Sequence, residues 1–237
     1  MSPLARYEAI YRDLQGQIQA GVLKPGTRLP SEKALAAKYS VSRMTVRQAL
    51  DQLAADRAVV RRKGSGTYAS EDRQTVRHLS RLAPFHAEMG LSATAVTTEI
   101  LLQTAAQPPA QTRKALGLRA GDLAIRILRR RLIRAEAAAI QDSWLPYALV
   151  PGLAHEPLLG GSLYETLRTV FGIRLRWAEQ DITAAAANLQ QAEVLGVPAG
   201  SPLIAITRVT YADPSVPIEH SLSWTRPEYP LVVRLTP

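Results

Sequence analysis

The sequence contains no cysteine and no long apolar run. Without cysteine the chain can form no disulfide, no cysteine-ligated zinc site and no thiol nucleophile. No segment approaches the roughly 20 apolar residues that span a bilayer, and the start of the chain is amphipathic and charged rather than signal-like. Since 46% of its 237 residues are hydrophobic, the chain can bury the core of one or two domains. We therefore expect a cytoplasmic protein without membrane partners.

Acidic residues are scarce in the first part of the chain. Residues 1–70 contain 12 Lys and Arg against 5 Asp and Glu, whereas residues 71–237 contain 17 against 15. Most of the net charge of +9 therefore lies in the first part. Such an excess indicates a segment that binds a polyanion, although a solvated basic face would have the same composition.

Three helices are predicted in this basic segment. Apolar residues at helical spacing predict an amphipathic helix over residues 4–20, and Lys24-Pro25-Gly26 predicts the turn after it. Ser31 and Ser42 are each in position to cap a further helix. Two short helices in succession are typical of a helix-turn-helix.

The third helix has two sides of different chemistry. Val46, Leu50 and Leu53 follow helical spacing and predict a stripe that faces the core. Arg43 and Arg47, one turn apart, lie on a different side near the helix N-terminus. In a helix-turn-helix the first residues of the second helix enter the major groove, where arginine can bond O6 and N7 of guanine together.

A β-hairpin is predicted next. Residues 59–62 and 67–69 favour strands and flank the loop Lys63-Gly64-Ser65-Gly66. The tip of this loop is cationic and has little side-chain bulk, so its backbone can approach a groove or a phosphate closely. A helix-turn-helix followed by a basic hairpin predicts a winged helix.

These motifs occur in a fixed order along the chain: Leu29-Pro30-Ser31-Glu32, Leu35-Ala36, Val41-Ser42-Arg43, Thr45-Val46-Arg47-Gln48-Ala49-Leu50 and Gly64-Ser65-Gly66-Thr67. The ordered set resembles the DNA-binding signature of the GntR family of bacterial transcription factors. The resemblance implies contacts to bases or phosphates from the third helix, phosphate contacts from the residues before it, and a wing at the glycine loop. The DNA-binding residues that we expect are Arg28, Ser31, Lys33, Ser42, Arg43, Thr45, Arg47, Lys63, Gly64 and Gly66.

Beyond a polar segment at residues 71–78, which we predict to be a linker, strands with interspersed helices are expected. The predicted strands are 94–102, 123–133, 139–145, 174–184, 203–211 and 217–225. The predicted helices are 111–116, 163–171 and 187–195. The fold class is therefore α+β, with a winged helix-turn-helix domain at residues 1–70 and a second domain, with a mainly antiparallel sheet, at residues 79–237.

Short motifs of the second domain also follow a fixed order: Gly121-Asp122, Trp144-Leu145-Pro146, Ser162-Leu163-Tyr164, Leu195-Gly196-Val197-Pro198 and Arg226-Pro227-Glu228-Tyr229. Their order resembles the UTRA effector domain of the HutC branch of the GntR family, over roughly residues 79–235. The resemblance implies a chorismate-lyase-like fold that acts as a receptor for a small molecule and as a dimerisation domain.

The resemblance also implies a binding site for an anion. Phosphosugar-sensing members of this branch hold their ligand with an arginine pair on one strand and a Ser-Leu-Tyr turn, which correspond here to Arg129, Arg131 and Ser162. Paired guanidinium groups and a helix N-terminal amide suit an anion. The effector-binding residues that we expect are His86, Arg129, Arg131, Gln141, Ser162, Glu219 and Thr225.

Three of these residues depart from the pattern of the family. Gln141 stands where sugar-phosphate sensors commonly have Glu, and His86 stands where a small hydroxylated residue is frequent. Thr225 replaces a common tyrosine. These differences disfavour an amino sugar as the ligand but are compatible with an anion.

Simpler roles stay open for the other expected ligand residues. Arg129, Arg130 and Arg131 could lie partly on a solvated edge of the sheet. Ser162 could serve only as a helix cap, and Glu219 could only pair with an arginine such as Arg226. The histidines are far apart in the chain and lack metal-ligand spacing, so we expect no metal and no cofactor.

The motifs together predict a sequence-specific DNA-binding transcriptional regulator, associated with the nucleoid when bound to DNA. We expect a homodimeric repressor that leaves a palindromic operator when a small anionic metabolite, such as a phosphorylated one, binds. We expect no catalysis, since the sequence has no Gly-x-Ser-x-Gly, P-loop or His-Glu-x-x-His motif. Two alternatives remain: a constitutive DNA-binding protein whose second domain only dimerises, and a lyase-like enzyme.

Replacing Arg47 tests the expected DNA contact. If Arg47 contacts a base, Arg47→Ala weakens binding to the operator by on the order of 1–3 kcal/mol and relaxes the preference at one base pair. A fluorescence titration with operator variants measures both quantities. Unchanged affinity together with unchanged base preference would contradict this role.

Overall fold

The structure, a computed structural model, describes residues 3–19, 21–56, 58–62, 64–70, 77–79, 82–91, 93–213 and 216–233. The chain divides into two compact units, Met1–Val76 and Arg77–Pro237. Three parts of the sequence predictions lie outside the described residues: residue 20 of the predicted first helix, Lys63, and residues 71–76 of the expected linker.

In the part of the N-terminal unit that the structure describes there are three helices and a hairpin: α1 (Pro3–Gln19), α2 (Glu32–Tyr39), α3 (Arg43–Ala55), β1 (Val59–Arg62) and β2 (Gly66–Ala69). Ser31 caps α2 and Ser42 caps α3, as predicted, and each hydroxyl accepts a hydrogen bond from the backbone N–H three residues further on. The two strands pair antiparallel with Val59 opposite Ala69. The predicted winged helix is therefore present.

The core of this unit lies where the three helices meet. Val46, Leu50 and Leu53 of α3 are buried as the helical spacing predicted. They pack in one cluster with Leu14 of α1 and Leu35 of α2. This packing fixes the orientation of α3, so the opposite side of that helix remains at the surface.

The C-terminal unit consists of β3 (Arg77–His78), α4 (Phe85–Glu88), β4 (Val96–Ala106), α5 (Ala110–Ala115), β5 (Ala124–Ile133), β6 (Glu136–Pro146), α6 (Leu163–Thr169), β7 (Trp177–Ala186), α7 (Leu189–Leu195), β8 (Pro202–Asp213), β9 (Val216–Thr225) and β10 (Leu231–Val232). Six strands form one sheet in the order β4-β5-β6-β9-β8-β7, and every pair in it is antiparallel. The predicted α+β class and mainly antiparallel sheet are confirmed. Among the described residues, no helix is long and apolar enough to cross a membrane.

One short strand pair was not predicted. β3 pairs parallel with β10, with Arg77 opposite Leu231. Arg77 and His78, the last two residues of the expected linker, therefore belong to a strand of the C-terminal unit. The polar composition of this segment had indicated an exposed linker. Arg77 is nevertheless almost fully buried, and the carboxylate of Glu88 balances the charge of its guanidinium.

The two faces of the sheet are covered by different helices. Ile125 and Ile127 of β5 pack with Leu163 and Leu167 of α6 on one face. Since side chains alternate along a strand, the neighbouring positions of β5 point to the other face, where Ile140 packs with α7. Arg129 and Arg131 follow Ile127 at alternate positions and therefore lie on the α6 face.

The packing of α3 predicts a large difference between two apolar side chains of that helix. Leu50 is 1% exposed and Met44 is 68% exposed. Leu50→Ala should lower the free energy of unfolding by about 2–5 kcal/mol, whereas Met44→Ala should change it by less than about 0.5 kcal/mol.

Chemical unfolding of the whole chain can assign this loss to one unit. All three tryptophans, Trp144, Trp177 and Trp224, lie in the C-terminal unit. In Leu50→Ala we expect the unfolding transition seen by helical circular dichroism to shift to lower denaturant concentration. The midpoint of the transition seen by tryptophan fluorescence should stay unchanged, which would assign the loss of stability to the N-terminal unit. Equal losses in Leu50→Ala and Met44→Ala would contradict the packing of α3.

Candidate DNA-binding and effector sites

The start of α3 presents polar groups to solvent. Arg43 is exposed and forms no ion pair with any described residue. Thr45 is half-buried, and its hydroxyl lies 2.9 Å from the hydroxyl of Ser42. The first N–H groups of a helix attract anions because the helix supplies no partner for them. Side chains and backbone at this end of α3 can therefore meet DNA together.

Arg47 is held by a residue that sequence reasoning missed. Its Nε and Nη2 donate to the two carboxylate oxygens of Glu32 at 3.2 and 2.9 Å. Arg61 of β1 lies 3.7 Å from Glu32 and 2.9 Å from Asp51. Hydrogen bonding by Arg47 lowers the pKa of the Glu32 carboxyl, and the charge of Arg61 lowers it further. These contacts join the start of α2, the middle of α3 and the first wing strand.

The wing depends on glycine at two positions. Gly64 has φ 74° and Gly66 has φ 125°, values that favour glycine. A Cβ on Gly66 would lie 3.0 Å from Nε of Arg28, so that side chain passes directly over the wing backbone. The backbone of Arg28 also pairs antiparallel with the backbone of Tyr68 in β2, as an isolated β-bridge. Lys33 is exposed in the first turn of α2.

A cavity opens on the α6 face of the C-terminal sheet, with a volume of about 440 Å³ including the space at its mouth. Strands β5, β6, β8 and β9 form its floor, and α4 and the start of α6 form its walls. Its charged lining residues are Arg77, Arg129, Arg131, Arg208, Glu88 and Glu219. With these groups ionised, four cations face two anions, so the lining carries a net charge of +2.

Arg129 and Arg131 are the two cations without a carboxylate partner among the described residues. Arg131 donates from Nε to Gln141 at 2.8 Å and from Nη1 to the carbonyl of Gly161 at 3.0 Å. Arg129 donates from Nη2 to Ser143 at 2.9 Å, and its buried Nε has no described partner. Burial lowers the pKa of both guanidinium groups, but the ordinary value is so high that both remain charged. Arg129 and Arg131 are 3% and 5% exposed, so neither lies on a solvated edge of the sheet.

Glu219 and Ser162 also line this cavity. Glu219 accepts hydrogen bonds from Tyr164 at 2.9 Å and from Thr210 at 3.1 Å. Arg226, the arginine suggested as its partner, bonds Glu228 instead. Ser162 does cap α6, since its hydroxyl accepts from the N–H of Glu165, yet it also lines the cavity.

Two expected effector residues lie elsewhere. Thr225 is buried, and its hydroxyl accepts a hydrogen bond from Nη1 of Arg77 at 3.2 Å rather than lining the cavity. His86 lies on α4 outside the lining, where burial and then the charge of Arg131 lower the pKa of its ring. Thr225 lies two positions after the lining residue Ser223, but its hydroxyl is bonded to Arg77, which itself lines the cavity.

A buried triad of Arg77, Glu88 and Arg208 was missed by sequence reasoning. Arg77 donates from Nε to one oxygen of Glu88 at 2.8 Å, and Arg208 donates from Nη1 to the other oxygen at 3.0 Å. Burial opposes the charge of Arg208, but Glu88 and Tyr164 outweigh it and raise the pKa of the guanidinium. The alternation of Arg208 with Ile206 along a predicted strand was a signal that it faces the core.

The described residues contain no group of side chains that could hold a metal ion. The chemistry of the cavity is therefore that of cations, hydroxyl groups and two carboxylates. Such a set can hold a multiply charged anion at Arg129 and Arg131 and form hydrogen bonds to polar groups at Glu219 and Tyr164.

Comparison with known proteins gives the same division of the chain. Residues 6–69 match the bacterial regulatory proteins of the gntR family, and residues 92–229 match the UTRA domain. The transcriptional repressor NagR of Bacillus subtilis is 30% identical over 222 residues, which cover 94% of this chain and 90% of NagR. The mannosyl-D-glycerate transport/metabolism system repressor MngR of Escherichia coli is 28% identical over 84% of this chain and 82% of its own.

A solved structure shows the same fold. The crystal structure of PhnF from Mycobacterium smegmatis superposes with a TM-score of 0.63 at 23% identity, and the match covers 98% of this chain and 99% of PhnF. NagR and MngR are named as repressors, and the family model that matches residues 6–69 describes bacterial regulatory proteins, so the chain is a regulator rather than a lyase-like enzyme. The chain belongs to the GntR family, as a DNA-binding transcriptional regulator of the HutC type with a UTRA domain.

Proposed function

We propose that this regulator is a cytoplasmic homodimeric repressor that a small multivalent anion releases from a palindromic operator. The winged helix at residues 1–70 would bind DNA, and the domain at residues 79–237, reached through a linker, would bind the anion and dimerise. The single observation that carries the proposal is the cavity with two buried arginines that lack carboxylate partners. NagR and MngR, both named as repressors, support the sign of regulation.

The proposed DNA contacts combine base reading with phosphate binding. Arg43 is the best candidate for reading a base, because it is exposed at the start of α3 and has no ion pair among the described residues. Arg47 would contact DNA with the part of its guanidinium that Glu32 leaves available. Phosphate contacts are proposed from the remaining residues, namely Arg28, Ser31, Lys33, Ser42, Thr45, Lys63 and the backbone at Gly64 and Gly66.

The proposed anion site centres on Arg129 and Arg131. An ionised group that is buried without a counter-charge is costly, and an anion with two negative charges would balance the net charge of the lining. Gln141 and Ser162 lie beside this pair and can complete its hydrogen bonds. At the other end Glu219 can accept a hydrogen bond from a hydroxyl or amino group of the ligand.

Release would follow from a shift between two populations of the protein. If the anion binds more tightly to an arrangement of the two winged helices that does not fit the operator, it lowers operator affinity by the ratio of its two affinities. A dimer with two-fold symmetry would match a palindromic operator. A constitutive DNA-binding protein would have no use for the unpaired arginines of the cavity.

Anion-dependent stability tests the site. Inorganic phosphate and small phosphate monoesters should raise the stability of the full chain against heat, at an ionic strength held constant with potassium chloride. A ligand at about 100 times its dissociation constant adds about 2.7 kcal/mol if it binds only the folded state. Differential scanning fluorimetry across this panel ranks the ligands.

Two variants of neighbouring arginines give the matched comparison. Arg131→Met should remove the phosphate-dependent stabilisation. Arg130→Met should keep it, because Arg130 points to the opposite face and bonds Glu99 at 2.7 Å. Equal phosphate effects in wild type and Arg131→Met would place any anion site outside this cavity and contradict the proposal.

The stability of the ligand-free protein offers a second test. Arg129→Met should raise the free energy of unfolding by about 1 kcal/mol or more, because it removes a buried charge with no carboxylate partner. Arg208→Met should lower it by roughly 2 kcal/mol or more, because Glu88, Tyr164 and Gln180 each lose a hydrogen-bond donor. Chemical unfolding followed by tryptophan fluorescence measures both changes. Destabilisation by both variants would show that Arg129 serves the folded state and is not held for a ligand.

A further inference from the structure

Arg77 connects the cavity to the beginning of the C-terminal unit. It is the first residue of that unit in the chain. Its backbone N–H donates to the carbonyl of Pro230 at 2.8 Å, beside β10. Its side chain is 1% exposed and lines the cavity. Arg77 therefore belongs both to β3, the first strand of the unit, and to the wall of the proposed anion site.

The guanidinium of Arg77 is held on three sides. Glu88 accepts from its Nε at 2.8 Å, and Thr225 accepts from its Nη1 at 3.2 Å. Its central carbon lies 5.4 Å from the ring centre of Phe85, and that of Arg131 lies 5.1 Å from the same ring centre. Phe85 thus contacts both the proposed anion-binding arginine and the arginine at the start of the unit.

Glu88 forms ion pairs with two cations that line the cavity. One oxygen accepts from Arg77 and the other accepts from Arg208. An anion in the cavity is a competing partner for both guanidinium groups, and charged hydrogen bonds are the strongest that a buried group can make. Binding would therefore redistribute the partners of Glu88 and change the position in which Arg77 is held.

We propose that Arg77 is a positioning residue that couples occupancy of the cavity to DNA binding, through the chain Arg131–Phe85–Arg77 and the shared carboxylate of Glu88. This inference rests on the proposed function, since it needs an anion in the cavity. A change in the side chain of Arg77 shifts β3, and residues 71–76, which precede it in the sequence, join that strand to the DNA-binding unit. Thr225 also holds the guanidinium of Arg77, through a hydrogen bond to Nη1, and does not itself line the cavity.

The test measures coupling separately from affinity. The probe is inorganic phosphate, and the operator is a duplex selected from a random pool by the wild-type full-length protein. Calorimetry gives the phosphate Kd, and fluorescence anisotropy gives the operator Kd without phosphate and at saturating phosphate. Potassium chloride keeps the ionic strength constant, because DNA binding depends on salt.

In wild type we expect saturating phosphate to change the operator Kd at least about fivefold, the lower range of allosteric coupling. In Arg77→Met the change should fall below about twofold, even when the phosphate concentration is raised to restore saturation. Arg130→Met is the matched control and should keep the wild-type ratio. A residue with a merely structural role would alter stability or the phosphate Kd but would leave this ratio unchanged.

Thr225→Val gives the same test without removing a buried charge. Valine has nearly the shape of threonine, so the variant should fold and bind phosphate with wild-type affinity. It deletes only the hydroxyl that holds Nη1 of Arg77, and the coupling ratio should decrease. A variant of Arg77 that fails to fold therefore leaves the prediction fully testable.

The outcomes separate the two proposals. Wild-type coupling in both Thr225→Val and Arg77→Met would overturn the role of Arg77 while the proposed function stands. Wild-type protein whose operator Kd does not respond to bound phosphate, or whose phosphate binding survives Arg131→Met, would contradict the proposed function and the role of Arg77 with it.

Discussion

Positive charge is buried under the sheet of the C-terminal unit in excess of the negative charge available to balance it. Burial of an ion costs several kcal/mol unless other groups compensate, and here Glu88 and Glu219 compensate only part of four guanidinium groups. Glu88 is fully used by Arg77 and Arg208. Glu219 is bonded by two hydroxyl groups, so its charge reaches Arg129 only through space. The anion preference that we propose for this cavity follows from this imbalance.

Strand alternation decides which arginines take part. Arg129 and Arg131 point into the cavity, whereas Arg126 and Arg130 of the same strand point to the other face. On that face Arg126 bonds both oxygens of Asp142, and Arg130 bonds Glu99. Arginines at neighbouring positions of one strand therefore differ in whether a carboxylate of the protein pairs with the guanidinium. Only those on the cavity side have capacity left for a ligand.

Local chemistry made much of the fold predictable from the sequence. The serine caps of α2 and α3 and the apolar stripe of α3 depend on residues within one or two turns, and the structure contains all of them. The strands of the large sheet follow from runs of β-forming residues, and their predicted ends differ from the observed ones by a few positions. The resemblance to a family placed Arg129 and Arg131 on one strand, and both side chains line the cavity.

Contacts between distant parts of the chain were not predictable in this way. Arg77 looked like part of a polar linker because its partners, Glu88 and Thr225, are 11 and 148 positions away. Glu32 holds Arg47 across the turn between two helices, a distance of 15 positions. Thr225 and His86 were expected at the ligand from their positions in the chain alone, and neither side chain lines the cavity.

The parallel pairing of β3 with β10 has a further consequence for the C-terminal unit. β3 and β10 are neighbours, so Arg77 and Leu231, near the two ends of the segment 77–232, lie about 5 Å apart, the spacing of paired strands. A domain with adjacent ends can be inserted into a surface loop of another protein without pulling the ends of that loop apart. The segment 77–232 thus has the geometry of an insertable domain, which a host protein could hold at both ends.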